Sequence, residues 1–421
     1  MDRFTRTADI IKAYYSYKQT ADSATFVKKV CSFFDFIKDE SLSDADLNLL
    51  LFLANEAGIP QYYDLLKSKF TNAEIGDESI NSLTMSALFH DASLIRGDSK
   101  LHRYQKHVLD SFVATQRNRY VLTAPTSFGK TFLVYEIIQK MQYQNVLLIF
   151  PAISLLSENY ARLCSWEAFS DYAIHSLSEE EFDITQKNIF IFTPERFLSF
   201  MDSHQHLHFN FAFIDEVYKI DNSFVIDQET SGENERDTAY RLALEFICNL
   251  TDNMLLAGPY MALPTAETEL HKSFNDFARD NGFVFLRYNQ FEIVSKEYTT
   301  VKSRQQYIID NIPVEIGSAS KTQKIANIIL ALSSPTENTI IYCNRKSDTE
   351  SYARQLLNNQ ELISIFQERC SAVDAPVYEI FLEHLQNTFG DDWIVLKALK
   401  GRIGIHHSLC PNIFKRNHQF I

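Results

Sequence analysis

Arg119-Tyr120-Val121-Leu122-Thr123-Ala124-Pro125-Thr126-Ser127-Phe128-Gly129-Lys130-Thr131 is the stretch on which the reading of this chain turns. Its first four residues form a short apolar run that reads as a buried strand. Behind it, Phe132, Leu133, Tyr135, Ile137 and Ile138 recur at helical spacing. Strand, tight polar loop, Gly-Lys-Thr and helix form the context a phosphate-cradling loop requires. Small residues let successive backbone N–H groups point inward, and the following helix presents its positive end to the anion. The expected nucleotide contacts are Pro125, Thr126, Ser127, Phe128, Gly129, Lys130 and Thr131. Lys130 is placed to neutralise β- and γ-phosphates, and the Thr131 hydroxyl to ligate Mg²⁺. Ala124 stands where the first glycine is usual, which points to a particular subset of such loops.

The second half of this chemistry is expected at Phe209-Asn210-Phe211-Ala212-Phe213-Ile214-Asp215-Glu216. An apolar strand ends there in two consecutive acids. The Asp215 carboxylate suits Mg²⁺ held through water, and Glu216 suits the orientation or deprotonation of an attacking water. The catalytic candidates are therefore Lys130, Asp215 and Glu216. Adjacent acids also occur in plain solvated turns; the pairing with Lys130-Thr131 favours the functional reading.

Further apolar strands are expected over 145–150, 188–192 and 254–257, each followed by a polar turn or a helix. Alternation of strands and helices from Arg119 to Ala257 predicts a doubly wound parallel sheet with its site at the strands' carboxyl ends. Two of the junctions, Pro151 with Ser154 and Thr193-Pro194-Glu195-Arg196, offer helix starts that can hold a phosphate, or are ordinary strand-to-helix turns. Tyr104 and Gln105, just before the first strand, suit an adenine clamp, with the ring stacking and the amide reading the base edge. An ordinary amphipathic helix is the alternative there. His204, His206 and His208 alternate like a metal tract, but no acid or cysteine completes a set.

Residues 1–95 carry helical apolar spacing over 10–17, 26–37, 47–57 and 62–70, with Ser43 as a plausible N-cap and Gly58 as a stop. After residue 313 a second run is expected: helix over 324–332, strand over 338–343 and helix over 347–357. Beyond Trp393 there is no Asp or Glu, whereas Lys397, Lys400, Arg402, Lys415 and Arg416 are present. That basic end is either a nucleic-acid contact or a face that meets another domain.

Composition bounds the rest. At 421 residues two or three domains are expected, and 33 Phe with 20 Tyr make the cores strongly aromatic. A formal net charge of −14 confines any nucleic-acid path to a local basic groove. The six scattered cysteines point to reduced thiols and a cytoplasmic setting, with no membrane partner.

Taken in order, these motifs resemble the superfamily 2 nucleic-acid helicases and translocases of the DEAD/DEAH-box type. Residues 124–131 resemble motif I, Phe150 to Leu156 motif Ia, Thr193 to Arg196 motif Ib, Asp215 to Tyr218 motif II, and 338–345 motif IV, which brings in Arg345. Gly404-Ile405-His406-His407-Ser408-Leu409 is similar to a stretch of the superkiller branch. The resemblance implies an α/β fold: a helical accessory domain at 1–95, a RecA-like ATP-binding domain at 96–290, a linker at 291–314 and an incomplete second RecA-like domain at 315–421. It implies ATP and Mg²⁺ as cofactors, and DNA or RNA, single-stranded or duplex, as partner. The nucleic-acid contacts would be Pro151, Ser154, Thr193, Pro194, Arg196, Arg345, His406 and His407. Departures are expected to matter. Tyr218 replaces the usual His of motif II, Ala257-Gly258-Pro259 replaces Ser-Ala-Thr of motif III, and nothing resembles motifs V and VI. The chain thus reads as truncated, with arginine fingers coming from a missing C-terminal region or a partner chain. Its context is that of bacterial antiviral defence helicases. A nucleotide-binding scaffold that no longer hydrolyses, docking a partner, is the alternative.

Overall fold

The structure is a computed structural model; it describes residues 2–38, 40–69, 89, 92–96, 99–220, 235–261, 272–296, 298–301, 306–309, 312–316, 320–332, 339–371 and 376–405. The chain divides into two compact units, Met1–Lys296 and Glu297–Ile421.

The first unit opens with four helices, Arg3–Thr20, Ser23–Ile37, Asp44–Ala57 and Gln61–Lys69. Ser43 caps the third through a capping box with Asp46, and Gly58 ends it in the left-handed conformation with φ 73°. Arg103 closes that helix end from outside. Its guanidinium donates to the carbonyls of Asn55 (2.9 Å) and Glu56 (3.2 Å), while its backbone N–H donates to Gly58 (2.9 Å). A cation on a helix's last carbonyls is favourable in both charge and hydrogen bonding.

A short hairpin, β1 (Ile95–Arg96) with β2 (Ser99–Lys100), leads into the main sheet. That sheet has seven strands, β3 (Arg119–Thr123), β4 (Asn145–Ile149), β5 (Tyr172–His175), β6 (Lys187–Phe192), β7 (Phe209–Ile214), β8 (Thr251–Gly258) and β9 (Val284–Arg287). Their order is β5-β6-β4-β7-β8-β3-β9, and every pairing is parallel. β3, β4 and β7 run as continuous buried apolar stretches because helices cover both faces. One face packs on helices Arg103–Ser111, Lys130–Met141 and Ile153–Ser165, in a core continuous with that of the N-terminal helices. The other face packs on Pro194–Ser203, Glu235–Leu250 and Lys272–Asp280.

An asparagine ladder runs across the amino ends of five adjacent strands. Asn188 Nδ2 donates to Asn145 Oδ1 (3.2 Å), Asn145 N–H to Asn210 Oδ1 (2.8 Å) and Asn253 Nδ2 to the Asn210 carbonyl (2.9 Å). Asn118, just before β3, donates to Asn253 Oδ1 from both its backbone N–H (2.9 Å) and Nδ2 (3.0 Å). These amides fill the donor and acceptor gaps where strands begin and no ladder partner precedes them. Beside them Arg119, 3% exposed, donates to the carbonyls of Cys248 (2.7 Å) and Thr251 (2.5 Å) at the end of helix Glu235–Leu250. The amino edge is thereby locked, and the carboxyl edge is left for chemistry.

The second unit holds an antiparallel hairpin, β10 (Gln306–Ile309) with β11 (Ile312–Glu315), and helices Lys321–Leu332, Lys346–Leu357, Gln360–Ser371, Pro376–Phe389 and Ile394–Lys400. The strand expected over 338–343 is a correction. Its described part, 339–343, pairs with no strand and leaves Ile340 at 92% and Tyr342 at 88% exposure. β-branched residues favour a strand only where neighbouring strands supply a ladder and a packed face. Of the stretch 291–314, residues up to Lys296 pack within the first unit, and 306–309 belongs to the hairpin.

Asn188 has no solvent exposure, and its amide also donates to the carbonyls of Asp183 (3.0 Å) and Gln186 (2.9 Å). Asn188→Ala leaves these groups buried and unpaired. Chemical denaturation should show a loss of about 2–3 kcal/mol, and an unchanged midpoint would refute the ladder's role.

Candidate functional site

β3 and β7 flank β8 and run parallel to it, their carboxyl ends two residues apart in register: Thr123 pairs Gly258, and Ile214 pairs Leu256. The loop after β3 and the two acids after β7 therefore open on the same edge of the sheet. The loop makes one 3₁₀ turn, Thr126–Phe128, then passes through Gly129 at φ 75° into helix Lys130–Met141. That φ suits glycine, and a Cβ there would lie 2.6 Å from Gln105 Nε2. Lys130 and Thr131 are the first residues of the helix, whose leading N–H groups have no intrahelical partners.

Lys130 Nζ donates to the loop's own carbonyls, Ala124 (3.2 Å) and Pro125 (3.0 Å). Burial pulls its amine below the ordinary lysine value, and the charges of Asp215 and Glu216 pull it back up. That coupling brings the three expected catalytic residues into one electrostatic group. Asp215 is held by its N–H on the Ile149 carbonyl (3.0 Å) and by Tyr240 Oη donating to its own carbonyl (3.3 Å). Glu216 adopts φ 51°, a left-handed conformation uncommon for a residue with a side chain, with its N–H on Asp215 Oδ1 (3.0 Å). Burial pushes the Tyr218 phenol up to about 12, with Glu216 beside it adding to the shift. Tyr218, in the place expected for a histidine, is thus a neutral hydroxyl next to the acid.

The loop fits a polyphosphate with its metal. Ser127 Oγ is buried without a hydrogen-bond partner, which is the state of a donor shaped for an acceptor from outside. Thr126 is exposed, and Ser127, Gly129, Lys130 and Thr131 are half-buried, so the cradle faces solvent. Lys130 supplies the cation, while the Thr131 hydroxyl and the Asp215 carboxylate supply hard oxygen donors suited to Mg²⁺. Among the described residues no cluster of three or more His, Cys, Asp or Glu is placed to hold a metal. Of the histidine tract, His204 instead stacks on Phe200 at 4.3 Å.

The adenine clamp expected of Tyr104 and Gln105 is not what the structure places there. Tyr104 is 4% exposed, stacks on Phe291 at 3.9 Å and donates its hydroxyl to the Ala57 carbonyl (3.3 Å). Gln105, 6% exposed, donates from Nε2 to the Phe128 carbonyl (3.0 Å) and accepts at Oε1 from the His102 N–H (3.1 Å). His102 is the residue that sequence reasoning missed. Its Nδ1 accepts the Gln105 N–H (3.1 Å), and its Nε2–H donates to the same Phe128 carbonyl (3.2 Å). The signal was present as a polar residue three positions before Gln105, the capping-box spacing. Tyr288 and Asn289 were also missed. The Tyr288 ring lies 5.4 Å from Phe128, and Asn289 Oδ1 accepts from Thr123 Oγ1 (2.5 Å).

The expected nucleic-acid residues fall into two groups. Pro151, Ser154, Thr193, Pro194 and Arg196 sit at the carboxyl ends of β4 and β6. Thr193 caps its helix by accepting the Arg196 N–H (3.4 Å), Pro194 fills the first helical position, and Arg196 Nη1 donates to the Ser176 carbonyl (3.0 Å). Arg345 is exposed in the second unit, and His406 and His407 lie outside the described residues. Of the basic end, Lys415 and Arg416 lie outside the described residues, and the described cations have local partners. Lys397 pairs with Asp392 (2.8 Å), Lys400 with Asp391 (3.3 Å), and Arg402 lies 4.3 Å over the Tyr378 ring. The acids that do this precede Trp393. No helix among the described residues is long and apolar enough to cross a membrane.

Burial holds His102 down to about 4, against about 6.5 unfolded. Its folded form stays neutral, so the unfolded state takes up the proton as pH falls from about 6.5 to about 4, and stability falls with it. Between pH 7 and pH 5 this group should cost about 2 kcal/mol. Thermal unfolding of the wild type and of His102→Asn checks it: the variant should lose that part of the pH dependence, and identical slopes would refute the assignment.

Comparison with known proteins adds three findings. Residues 98–249 match the family of type III restriction enzyme res subunits. Anti-bacteriophage protein B of Escherichia coli K12 is 22% identical over 355 residues; the match takes in 84% of this chain but spans only 42% of that relative's length. Among solved structures, the UvsW helicase from bacteriophage T4 shares 14% identity over 50% of this chain and 69% of its own, with TM-score 0.28. The Sulfolobus solfataricus SWI2/SNF2 ATPase core in complex with dsDNA shares 11% identity over 72% of this chain and 60% of its own, with TM-score 0.35. The loop 124–131 and the acids Asp215 and Glu216 both fall inside the stretch similar to the res-subunit family.

Proposed function

We propose that this chain is a nucleoside-triphosphate-driven motor of the superfamily 2 helicase or translocase type, acting on DNA or RNA in antiviral defence. The observation that carries the reading is the convergence of Lys130, Asp215 and Glu216 at the carboxyl edge of an all-parallel sheet. Similarity to the res-subunit family over 98–249 supports a motor, and the distant anti-bacteriophage relative supports the defence setting.

The chemistry follows from the residues. Lys130 exchanges its two loop carbonyls for the β- and γ-phosphate oxygens, which answer its charge better than neutral acceptors do. Ser127 Oγ gains the acceptor it lacks. Thr131 and Asp215 would hold Mg²⁺, which would neutralise phosphate charge. Glu216 receives the proton of the attacking water at its carboxylate, with the Tyr218 hydroxyl beside it. The nucleic-acid strand crosses the ends of β4 and β6 at Pro151, Ser154, Thr193, Pro194 and Arg196, where the positive ends of two helices face phosphate. Arg345, His406 and His407 are further nucleic-acid contacts in their own right. Arginine fingers come from outside the first unit, from a partner chain or a further segment of the protein.

Two variants test the division of labour. Lys130→Ala should abolish nucleotide binding in isothermal titration, because the backbone cradle alone leaves the phosphate charge unanswered. Glu216→Gln should keep binding within a few-fold and lower hydrolysis by about a hundredfold or more, since the amide cannot accept a proton. Unchanged affinity in the lysine variant would refute the phosphate loop. Turnover that persists unchanged in the glutamine variant would refute Glu216 as the proton acceptor, and no turnover in either the wild type or the variant would support the binding scaffold.

A further inference from the structure

Gly129, at φ 75°, lies so close to the Gln105 amide that a Cβ would come within 2.6 Å of it, and the carbonyl before it is gripped twice. His102 Nε2–H and Gln105 Nε2–H both donate to the Phe128 carbonyl, at 3.2 and 3.0 Å. The Phe128 ring is fully buried, with His102 edge-on at 4.8 Å and Tyr288 at 5.4 Å. His102 and Gln105 are also locked to each other, each side chain accepting the other's backbone N–H in a reciprocal cap of helix Arg103–Ser111. The side chains that precede β3 thus shape the phosphate loop from behind.

The same contacts remove them from any base. A base-reading amide must turn both its oxygen and its nitrogen toward the ligand. Here both atoms are engaged, and Gln105 is 6% exposed. A stacking platform needs an open ring face, whereas Tyr104 is 4% exposed with Phe291 at 3.9 Å. Phe291 is itself buried, and Tyr62 donates to the Ile293 carbonyl two residues on, fixing the segment that covers the ring.

We propose that the stretch His102-Arg103-Tyr104-Gln105 is a brace for the phosphate loop and not a base reader, so that the site takes nucleoside 5′-triphosphates of any base through their triphosphate alone. This rests on the nucleotide-binding reading of residues 124–131 and deepens it. Selection then follows charge: three phosphates meet Lys130, the loop amides and Ser127 Oγ, while Tyr104 and Gln105 offer the base neither a stacking face nor a hydrogen-bonding edge. Inorganic tripolyphosphate should compete, because it carries all the recognised chemistry.

The test is titration of the full chain with ATP, GTP, CTP and UTP in Mg²⁺, with tripolyphosphate as competitor. A hydrogen bond to a base edge contributes roughly five- to tenfold in affinity, so a base-blind site should hold all four dissociation constants within about fivefold. A preference for ATP of more than about fivefold over the other three overturns the proposal. Gln105→Ala supplies the second measurement: as a brace it should weaken all four nucleotides by one common factor, about tenfold. Loss confined to ATP would show that Gln105 reads adenine after all, and overturns the brace. Failure of the underlying reading looks different: no triphosphate binds, or Lys130→Ala binds all four as well as the wild type.

Discussion

The Phe128 carbonyl is the atom on which the candidate site depends. It lies one residue before the left-handed Gly129, and two donors from one helix cap, His102 Nε2–H and Gln105 Nε2–H, fix its direction. A loop that must hold several N–H groups pointing inward gains nothing from backbone freedom, since every conformer lost on binding counts against affinity. Two hydrogen bonds in a buried setting restrict that freedom before any ligand arrives. They also explain why the ring of Phe128 points inward: its edge-on contact with His102 and its contact with Tyr288 tie the loop to a helix before β3 and a segment after β9.

The sheet divides its labour between its two ends. At the amino ends, asparagine amides from Asn188 to Asn118 and the Arg119 guanidinium satisfy carbonyls and N–H groups that the ladder leaves over. At the carboxyl ends the corresponding groups are left to loops, so Ser127 Oγ can remain unpaired and Glu216 can sit at φ 51°. Strain and an unsatisfied hydroxyl at the carboxyl end are tolerable because the asparagine ladder and Arg119 tie the strands together at the other.

What was legible in the sequence follows from this arrangement. β3, β4, β6, β7 and β8 show as apolar runs because helices bury both faces, and the loop and the acid pair show because phosphate chemistry demands particular residue types at fixed spacing. The edge strands β5 and β9 were not legible: each is four residues long, and Val284 and Arg287 of β9 face solvent. Tyr104 and Gln105 matched a motif by type and distance, but the motif does not say that Phe291 covers the ring or that Phe128 takes the amide. The run over 338–343 has the composition of a strand, yet pairing is a property of neighbours and not of one segment. The asparagine ladder had no local signal at all, since its links join residues up to 135 positions apart.

Ala257-Gly258-Pro259 leaves the end of β8 without a hydroxyl, and the structure shows what polar linkage that strand end keeps. Thr123 Oγ1, at the root of the phosphate loop, contacts the Met261 carbonyl (3.2 Å) and Asn289 Oδ1 (2.5 Å), and Asn289 Nδ2 closes the triangle on Met261 (2.8 Å). One step outward, Tyr260 donates to Glu292, which pairs with Lys296 at 2.6 Å, the last residue of the first unit. Both links run from the loop and the β8 end to the segment by which the chain leaves the unit. The hydroxyl at this part of the sheet edge is that of Thr123 on the neighbouring strand, and its partner Asn289 lies on the exit segment. A displacement of the loop root would be felt first at Asn289, because a buried polar triangle tolerates little stretching before a donor or acceptor is left unpaired.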